Sequence, residues 1–357
     1  MNLQDFNKII TRWYIENKRE LPWRESTDPY KVWLSEVMLQ QTRVAQGLPY
    51  YLKFIKVFPT VYDLAAADEQ EILKLWQGLG YYSRARNLHH TAKVVVKKYN
   101  GNFPTTYKEL KTLKGVGDYT ASAIASICYQ EPKAVLDGNV FRVFSRFFGL
   151  DSPINSTEGR KLFKNKAELL LDEKNPGQYN QAIMEFGALQ CKPKKPLCDS
   201  CPLQINCVAF QHGKIAELPV KLKKGKVKER HLNYFVFLSD DNFTVLQQRT
   251  KRGIWKKLYE FPMVETQEEM QKDHIMEIKK TQTTGIKPQD IYAFNTKSIR
   301  HQLTHQRLMV KFWIVQKNEL SKVVQNPDRL IIKYEDIKDF PVPVVIDNFL
   351  NAFEYKD

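Results

Sequence analysis

Apolar residues at Leu3, Phe6, Ile10, Trp13 and Tyr14 recur at steps of three and four, which predicts an amphipathic helix at the start of the chain. Asp28-Pro29 reads as an N-cap followed by proline in the first helical turn. The helix it opens places Tyr30, Trp33, Leu34, Val37 and Met38 on one face. Thr106 and Glu109 have capping-box spacing ahead of another short helix. The small residues Ala121, Ala123, Ala125 and Cys128 predict a helix packed closely against a neighbour. Helical periodicity continues to about residue 210, with few alternating strand signals. The pattern then changes. Residues 214–230 hold seven basic and two acidic residues and read as a solvated linker. Beyond it, Tyr234–Leu238 and Phe243–Leu246 flank Ser239-Asp-Asp-Asn242 and predict a hairpin. Residues 265–281 read as a helix, Ile291–Phe294 and Leu308–Val315 as strands, and Val345–Phe353 as a last helix. The expected organisation is a helical domain over 1–212, a basic linker over 213–230 and a mixed α/β domain over 231–357.

Composition narrows the class of partner. The net charge is +15 over 357 residues, a third of it in the linker, and an excess of that size favours a polyanion through counterion release. Nothing approaches the roughly 18–20 apolar residues needed to span a membrane, and the first residues lack the basic-then-apolar profile of a secretory signal. A cytoplasmic protein without a membrane partner is expected. Four of the five cysteines fall within residues 191–207, and in an unexported chain that clustering points to a metal site rather than disulfides. The spacing C-x6-C-x2-C-x5-C differs from paired zinc knuckles, and four thiolates suit either zinc or a [4Fe–4S] cluster.

Two carboxylates stand out against this background. Glu36 lies mid-helix near Val32, Trp33 and Gln40, where apolar company raises a carboxyl pKa and keeps it protonated at neutral pH. Asp137, flanked by Gly138 and Asn139 at a helix start, is expected to stay ionised. An acid paired with an anion suits cleavage of a glycosidic bond through an oxocarbenium-like state. Gly115-Val116-Gly117 lies between two predicted helices. Taken alone it is a helix connector, but two glycines also let backbone N–H groups approach a phosphate at the next helix N-terminus.

The Gly-Val-Gly turn, placed before Tyr119-Thr-Ala-Ser-Ala and 20 residues ahead of Asp137, resembles the helix-hairpin-helix DNA glycosylase superfamily, with the hairpin near 106–125. Pro29–Thr42, Gly78–Leu88 and Leu136–Val140 narrow the resemblance to the adenine DNA glycosylase family. The resemblance implies an all-helical glycosylase domain with an iron–sulfur module, followed by a Nudix-like domain that reads the lesion. It implies a base-flipping enzyme that removes adenine opposite 8-oxoguanine or guanine in double-stranded DNA, acting as a monomer in the bacterial cytoplasm at the nucleoid. By resemblance Glu36 protonates N7 of adenine and activates water, Asp137 stabilises the sugar cation, and Tyr119 and Asn139 support them. Arg19, Leu21, Trp23, Arg24 and Gln181 would line the adenine pocket. Gln41 and Tyr81 would wedge the base stack, with Thr42, Gly115, Val116 and Gly117 also on DNA. Cys191, Cys198, Cys201 and Cys207 would hold one [4Fe–4S] cluster, with Lys192, Lys194 and Lys195 in its first loop near phosphates.

The departures from the family pattern are informative. The endonuclease III branch has lysine at the place of Tyr119, and a phenol forms no imine, so an abasic site without efficient strand cleavage is expected. Lys114 stands where the family has proline. Gly253–Pro262 resembles a Nudix loop, but Glu268-Glu269 lack the accompanying arginine, so no pyrophosphatase activity is expected. Where the family reads 8-oxoguanine with Phe-Ser-His, this chain has Leu303, Thr304 and His305, and Thr304 retains a hydroxyl for the lesion's N7–H. An endonuclease III-like lyase and a zinc-containing DNA-binding module are the competing readings.

Overall fold

The computed structural model describes residues 3–353 apart from 224, 226, 273–274, 276–287 and 323–327. The chain forms two compact units: Met1–Ala66 with Asn87–Lys224, and Ala67–Arg86 with Gly225–Asp357.

The first unit is helical among its described residues. The expected opening helix is Leu3–Asn17, and Phe6, Ile10, Trp13 and Tyr14 are all buried. Phe6 packs on Phe144, Phe147 and Phe148, with ring centroids 6.3, 4.9 and 5.5 Å away. Pro29–Leu39 starts where Asp28–Pro29 predicted, with the Asp28 carboxylate accepting from Tyr30 N at 2.9 Å. Trp33 and Leu34 are essentially inaccessible to water, and burying side chains of this size contributes about 2–3 kcal/mol each. The Thr106 cap forms as its spacing predicted: Thr106 Oγ1 accepts from Glu109 N at 3.3 Å and donates to the Glu109 carboxylate at 2.8 Å. The small-residue helix Asp118–Tyr129 is crossed closely by Pro176–Leu189; a Cβ on Gly177 would lie 2.7 Å from Ser126 O.

The segment expected as a linker is tied down in its first half. Arg146 donates to Leu218 O at 3.1 Å, Ile154 N to Val220 O at 3.0 Å, and Leu222 N to Asn155 Oδ1 at 2.8 Å.

The second unit contains two sheets. Strand β1 (Lys228–Leu238), β2 (Phe243–Gln248), β3 (Tyr259–Glu260), β4 (Met263–Thr266), β5 (Ile291–Ala293), β6 (Ile299–Gln302), β7 (Gln306–Gln316) and β8 (Arg329–Lys333) follow in chain order. One sheet runs β4-β1-β7-β5 with β6 also on β7, and the other runs β3-β2-β8. β1 and β7 are parallel along their whole length, from Lys228 opposite Gln306 to Leu238 opposite Gln316. The hairpin expected from Tyr234–Leu238 and Phe243–Leu246 is therefore corrected. Ser239–Asn242 is a tight turn, with Asn242 N donating to Ser239 O at 3.0 Å, but its two strands enter different sheets. Alternation shows that a segment is extended; it does not name the strand's partner. The helix expected over 265–281 is corrected at its start, where β4 pairs with β1, and residues 273–274 and 276–281 lie outside the described residues. The last helix, Val344–Ala352, matches expectation.

Residues 67–86 cluster with this second unit for visible reasons. Gln70 donates to Tyr259 Oη at 2.8 Å, Lys74 to Phe340 O at 3.1 Å, Gln77 to Asp347 at 2.8 Å and Arg86 to Lys256 O at 2.8 Å. Among the described residues no helix is long and apolar enough to cross a membrane.

Candidate active site

Three elements of the first unit bring the proposed chemistry to one place. Glu36 sits on the Pro29–Leu39 helix between buried Ser35 and Val37. Tyr119 lies in the first turn of Asp118–Tyr129. Asp137 caps Gly138–Phe148: its Oδ1 accepts from the backbone of Asn139 and Val140 at 2.8 Å each, and its Oδ2 from Asn139 Nδ2 at 2.7 Å. The helix Pro176–Leu189 presses on this cap, since a Cβ on Gly187 would lie 2.6 Å from that of Asn139.

Glu36, Tyr119 and Asp137 line two cavities at once. One, of about 530 Å³, is walled by Arg19, Leu21, Trp23, Arg24, Asn139, Gln181 and Glu185, and Thr42 reaches it. Arg19, Leu21, Trp23, Arg24 and Gln181, the residues expected in the base pocket, thus line one cavity. The other, of about 830 Å³, runs past Gln41, Gly115, Gly117, Asp118, Arg160 and Lys164. The two carboxylates and the phenol, with Leu39, form the wall common to both.

Burial pushes the Glu36 carboxyl up to about 7; Asp137 adds to the rise, while a hydrogen bond from Tyr119 and the charge of Arg24 oppose it. Burial also raises Asp137, against the three hydrogen bonds from Val140 and Asn139 that favour its anion. Tyr119 is driven well above 10, by burial first and then by Glu36, so its phenol stays neutral. Its hydroxyl also donates to Met184 Sδ at 3.2 Å.

Among the charged residues absent from the sequence-based candidates, Glu185, Arg142 and Arg146 tie the site and the cysteine loop together. Glu185, only 1% exposed, accepts from Arg19 N, Nε and Nη2 at 3.0, 2.8 and 2.6 Å, and from Arg24 Nη1 and Nη2 at 3.0 and 2.7 Å. Arg142 donates to Asn139 Oδ1 at 2.8 Å and to Cys191 O at 2.6 Å, so it joins the Asp137 cap to the cysteine loop. One turn on, Arg146 reaches Cys191 Sγ at 3.5 Å and Lys192 O at 2.7 Å. Two arginines four apart in an otherwise Phe- and Val-rich helix were a visible signal for the last two. Glu185 offered only a carboxylate on a buried helix face.

The glycine turn has the required geometry. Gly115 adopts φ +83°, and a Cβ there would lie 2.8 Å from Asn87 Cβ, whereas a Cβ on Gly117 would meet nothing within 4 Å. Without the family's proline, the carbonyl of Lys114 is held by Thr91 Oγ1 at 2.8 Å. Val116 is buried beneath the turn, with its N–H on Leu113 O at 3.1 Å. Gln41 is exposed at φ +57°, and in the second unit Tyr81 is exposed at φ +50°. A left-handed non-glycine residue costs about 1–2 kcal/mol, and such outliers concentrate where function needs them. Tyr81 Oη meets Thr304 Oγ1 at 2.5 Å. Thr304 and His305 are exposed at the β6–β7 turn, closed by Leu303 N donating to Gln306 O at 2.8 Å.

The four clustered cysteines surround one small void of about 30 Å³, together with Arg146, Gln190 and Phe210. Burial raises Cys201 to about 11, opposed by the Leu203 N–H and reinforced by the neighbouring Cys191, Cys207 and Cys198. Backbone N–H groups of Phe210 and Ala209 point at Cys207 in the same way. Among the described residues, no three His, Cys, Asp or Glu side chains are spaced to hold a single metal ion.

Comparisons with known proteins concern the family and the fold. Residues 34–168 match the HhH-GPD superfamily of base excision DNA repair proteins, and residues 233–352 match the NUDIX domain. The adenine DNA glycosylase of Buchnera aphidicola subsp. Baizongia pistaciae (strain Bp) is 37% identical over 312 residues, covering 87% of this chain and 86% of that protein. A thermostable thymine-DNA glycosylase structure is similar with TM-score 0.55 and 29% identity, over 59% of this chain and 97% of its own. A non-covalent endonuclease III–DNA complex is similar in fold, with TM-score 0.51 and 21% identity, over 60% of this chain and 98% of its own.

Proposed function

The chain belongs to the adenine DNA glycosylase family, and from that premise we propose that it hydrolyses the N-glycosidic bond of adenine paired with 8-oxoguanine or guanine in duplex DNA. The observation that carries the reading is the wall common to the two cavities. A flipped base entering the smaller cavity, with its strand along the Gly115–Gly117 groove, would bring its glycosidic bond between Glu36 and Asp137.

With a pKa of about 7, Glu36 is about half protonated at neutral pH and donates to the purine ring as the bond to the sugar breaks. Asp137, held by three hydrogen bonds, faces the sugar cation as an anion. Tyr119 orients Glu36 and, being a neutral phenol, offers no amine for a Schiff base; the product is an abasic site. Arg19, Leu21, Trp23, Arg24 and Gln181 receive the adenine. Gln41 and Tyr81 fill the stack it leaves, with Thr42 and the two glycines on the strand; Val116, expected there too, is instead buried under the turn with its N–H on Leu113 O. In the second unit, Leu303, Thr304 and His305 would read the opposite base, with the Thr304 hydroxyl on the lesion's N7–H. The Tyr81–Thr304 hydrogen bond supports joint action of wedge and reader.

Cys191, Cys198, Cys201 and Cys207 fit a [4Fe–4S] cluster better than zinc. The four thiols line one common void, and their C-x6-C-x2-C-x5-C spacing is unlike that of paired zinc knuckles. Inward N–H groups on the sulfurs suit thiolate ligands. When bound, the cluster would supply four covalent ties across the 191–207 loop. Purified protein should be brown and hold about four irons per chain; colourless zinc protein would refute the assignment.

Single-turnover adenine release from duplexes differing only in the opposite base tests the whole reading. Release should be fastest opposite 8-oxoguanine, slower opposite guanine and negligible opposite thymine. Equal rates would remove the recognition role of the second unit. Efficient borohydride trapping on oxidised pyrimidines would replace the reading with a lyase.

A further inference from the structure

Glu36 must keep its proton while four guanidinium groups line the same cavity, and two of them, Arg19 and Arg24, meet at one wall beside Glu185. Arg24 pulls the Glu36 carboxyl toward its anion. A bare pair of cations there would also oppose the protonated purine and the sugar cation that the reaction creates. The structure answers this with Glu185, whose buried carboxylate takes both guanidinium groups at 2.6–3.0 Å.

We propose that Glu185 is a positioning residue: it clamps Arg19 and Arg24 against the pocket wall and offsets their charge, which preserves the acid form of Glu36. The inference rests on the reading of Glu36 as the proton donor. Burial alone would raise Glu185, but its hydrogen bonds to Arg19 and Arg24 and the charge of Arg24 bring it down to about 2, so it is an anion at every working pH. Within the cluster of Arg19, Arg24 and Glu185, two cations and one anion leave a surplus of one positive charge instead of two. Arg24 also lies over the Tyr14 ring at 5.6 Å, and Tyr14 Oη donates to Gln181 at 2.9 Å, so the clamp extends to a further pocket residue. The other groups acting on Glu36 are the Tyr119 phenol and the Asp137 carboxylate. Cys128, on the helix of Tyr119, lies within its field, and Arg43 lines the same cavity. None of these contacts Arg19 or Arg24 as Glu185 does, among the contacts of the described residues.

Removing the negative charge while keeping the shape isolates this role. Single-turnover adenine release is measured from pH 5 to 9 for the wild type, Glu185→Gln and Glu185→Asp. The wild-type rate should fall above pH about 7, as Glu36 ionises. In Glu185→Gln that fall should begin about one pH unit lower, giving near-parity at pH 5 and about a tenfold deficit at pH 8. Glu185→Asp keeps the charge and should keep the wild-type profile. A uniform deficit at all pH values in Glu185→Gln would mean a merely structural residue and overturn the inference, as would an unmoved profile. If Glu185→Gln does not fold, the double variant Glu185→Gln/Arg24→Gln removes the pair together. Its alkaline limb should stay within about half a unit of wild type, and a larger displacement overturns the inference. A wild-type profile with no alkaline limb sinks the Glu36 assignment itself, an outcome distinct from either failure of Glu185.

Discussion

Replacing Asp137 by Asn separates the charge of this side chain from its work as a helix cap. Asp137 Oδ1 accepts from Asn139 N and Val140 N at 2.8 Å each, and an amide oxygen can accept the same pair. Asn and Asp are equally good N-caps. At Oδ2 the exchange is less kind. Asn139 Nδ2 donates there at 2.7 Å, and a new NH₂ would face it while Asn139 Oδ1 remains committed to Arg142 at 2.8 Å. Losing that one bond costs about 1 kcal/mol, a shift of about 1–2 °C in melting temperature for a protein of this size. The lost charge weighs more in the transition state. Unit charges about 4 Å apart at an effective dielectric constant near 20 attract by roughly 4 kcal/mol, which is about a thousandfold in rate. The assay is single-turnover adenine release from an adenine:8-oxoguanine duplex, read by alkaline cleavage of the abasic strand, at enzyme concentrations that saturate both proteins. Melting curves are taken on the same samples. A cooperative melt near wild type with a rate within about tenfold would refute the electrostatic argument. It would leave Asp137 as a cap only.

Further predictions concern stability and grip. Burial raises Glu36 to about 7, so between its unfolded value near 4.3 and pH 7 the folded protein holds the extra proton, and its stability falls as pH rises. Glu36→Gln should therefore be more stable than wild type at pH 8 by about 1–3 kcal/mol, with the gap closing toward pH 4, while adenine release drops by about 10²–10⁴. A gap in urea unfolding that does not change with pH would contradict the burial account. Gly115→Ala meets both a left-handed φ of +83° and Asn87 Cβ at 2.8 Å, and should destabilise by about 2–4 kcal/mol. Gly117→Ala meets nothing within the protein, so its fold should be unharmed. Its affinity for duplex should nevertheless drop, because the added methyl occupies the space left for the DNA backbone; unchanged affinity in a salt titration would place the strand elsewhere.

Much of this protein is written in its local sequence. Helix starts at Asp28 and Thr106, the shift to strands past residue 230 and the turn at Gly115 depend on nearest neighbours in the chain, so residue type and spacing were enough to find them. The Pro29–Leu39 helix likewise places Glu36 beside apolar residues, and its raised pKa followed. Strand partnership did not follow. Tyr234–Leu238 and Phe243–Leu246 adjoin a single turn yet enter different sheets, because pairing is decided by which distant strands complete each core. The attachment of residues 67–86 to the second unit is also non-local, made by single hydrogen bonds to Tyr259, Phe340, Asp347 and Lys256. So are the charge partners of the site. Glu185 lies 161 residues from Arg24, and Arg142 meets Cys191 from 49 residues away; no period or motif links them. A buried ion needs its counterion within a few ångströms in space, whatever their separation along the chain, and only the folded structure says where that counterion is.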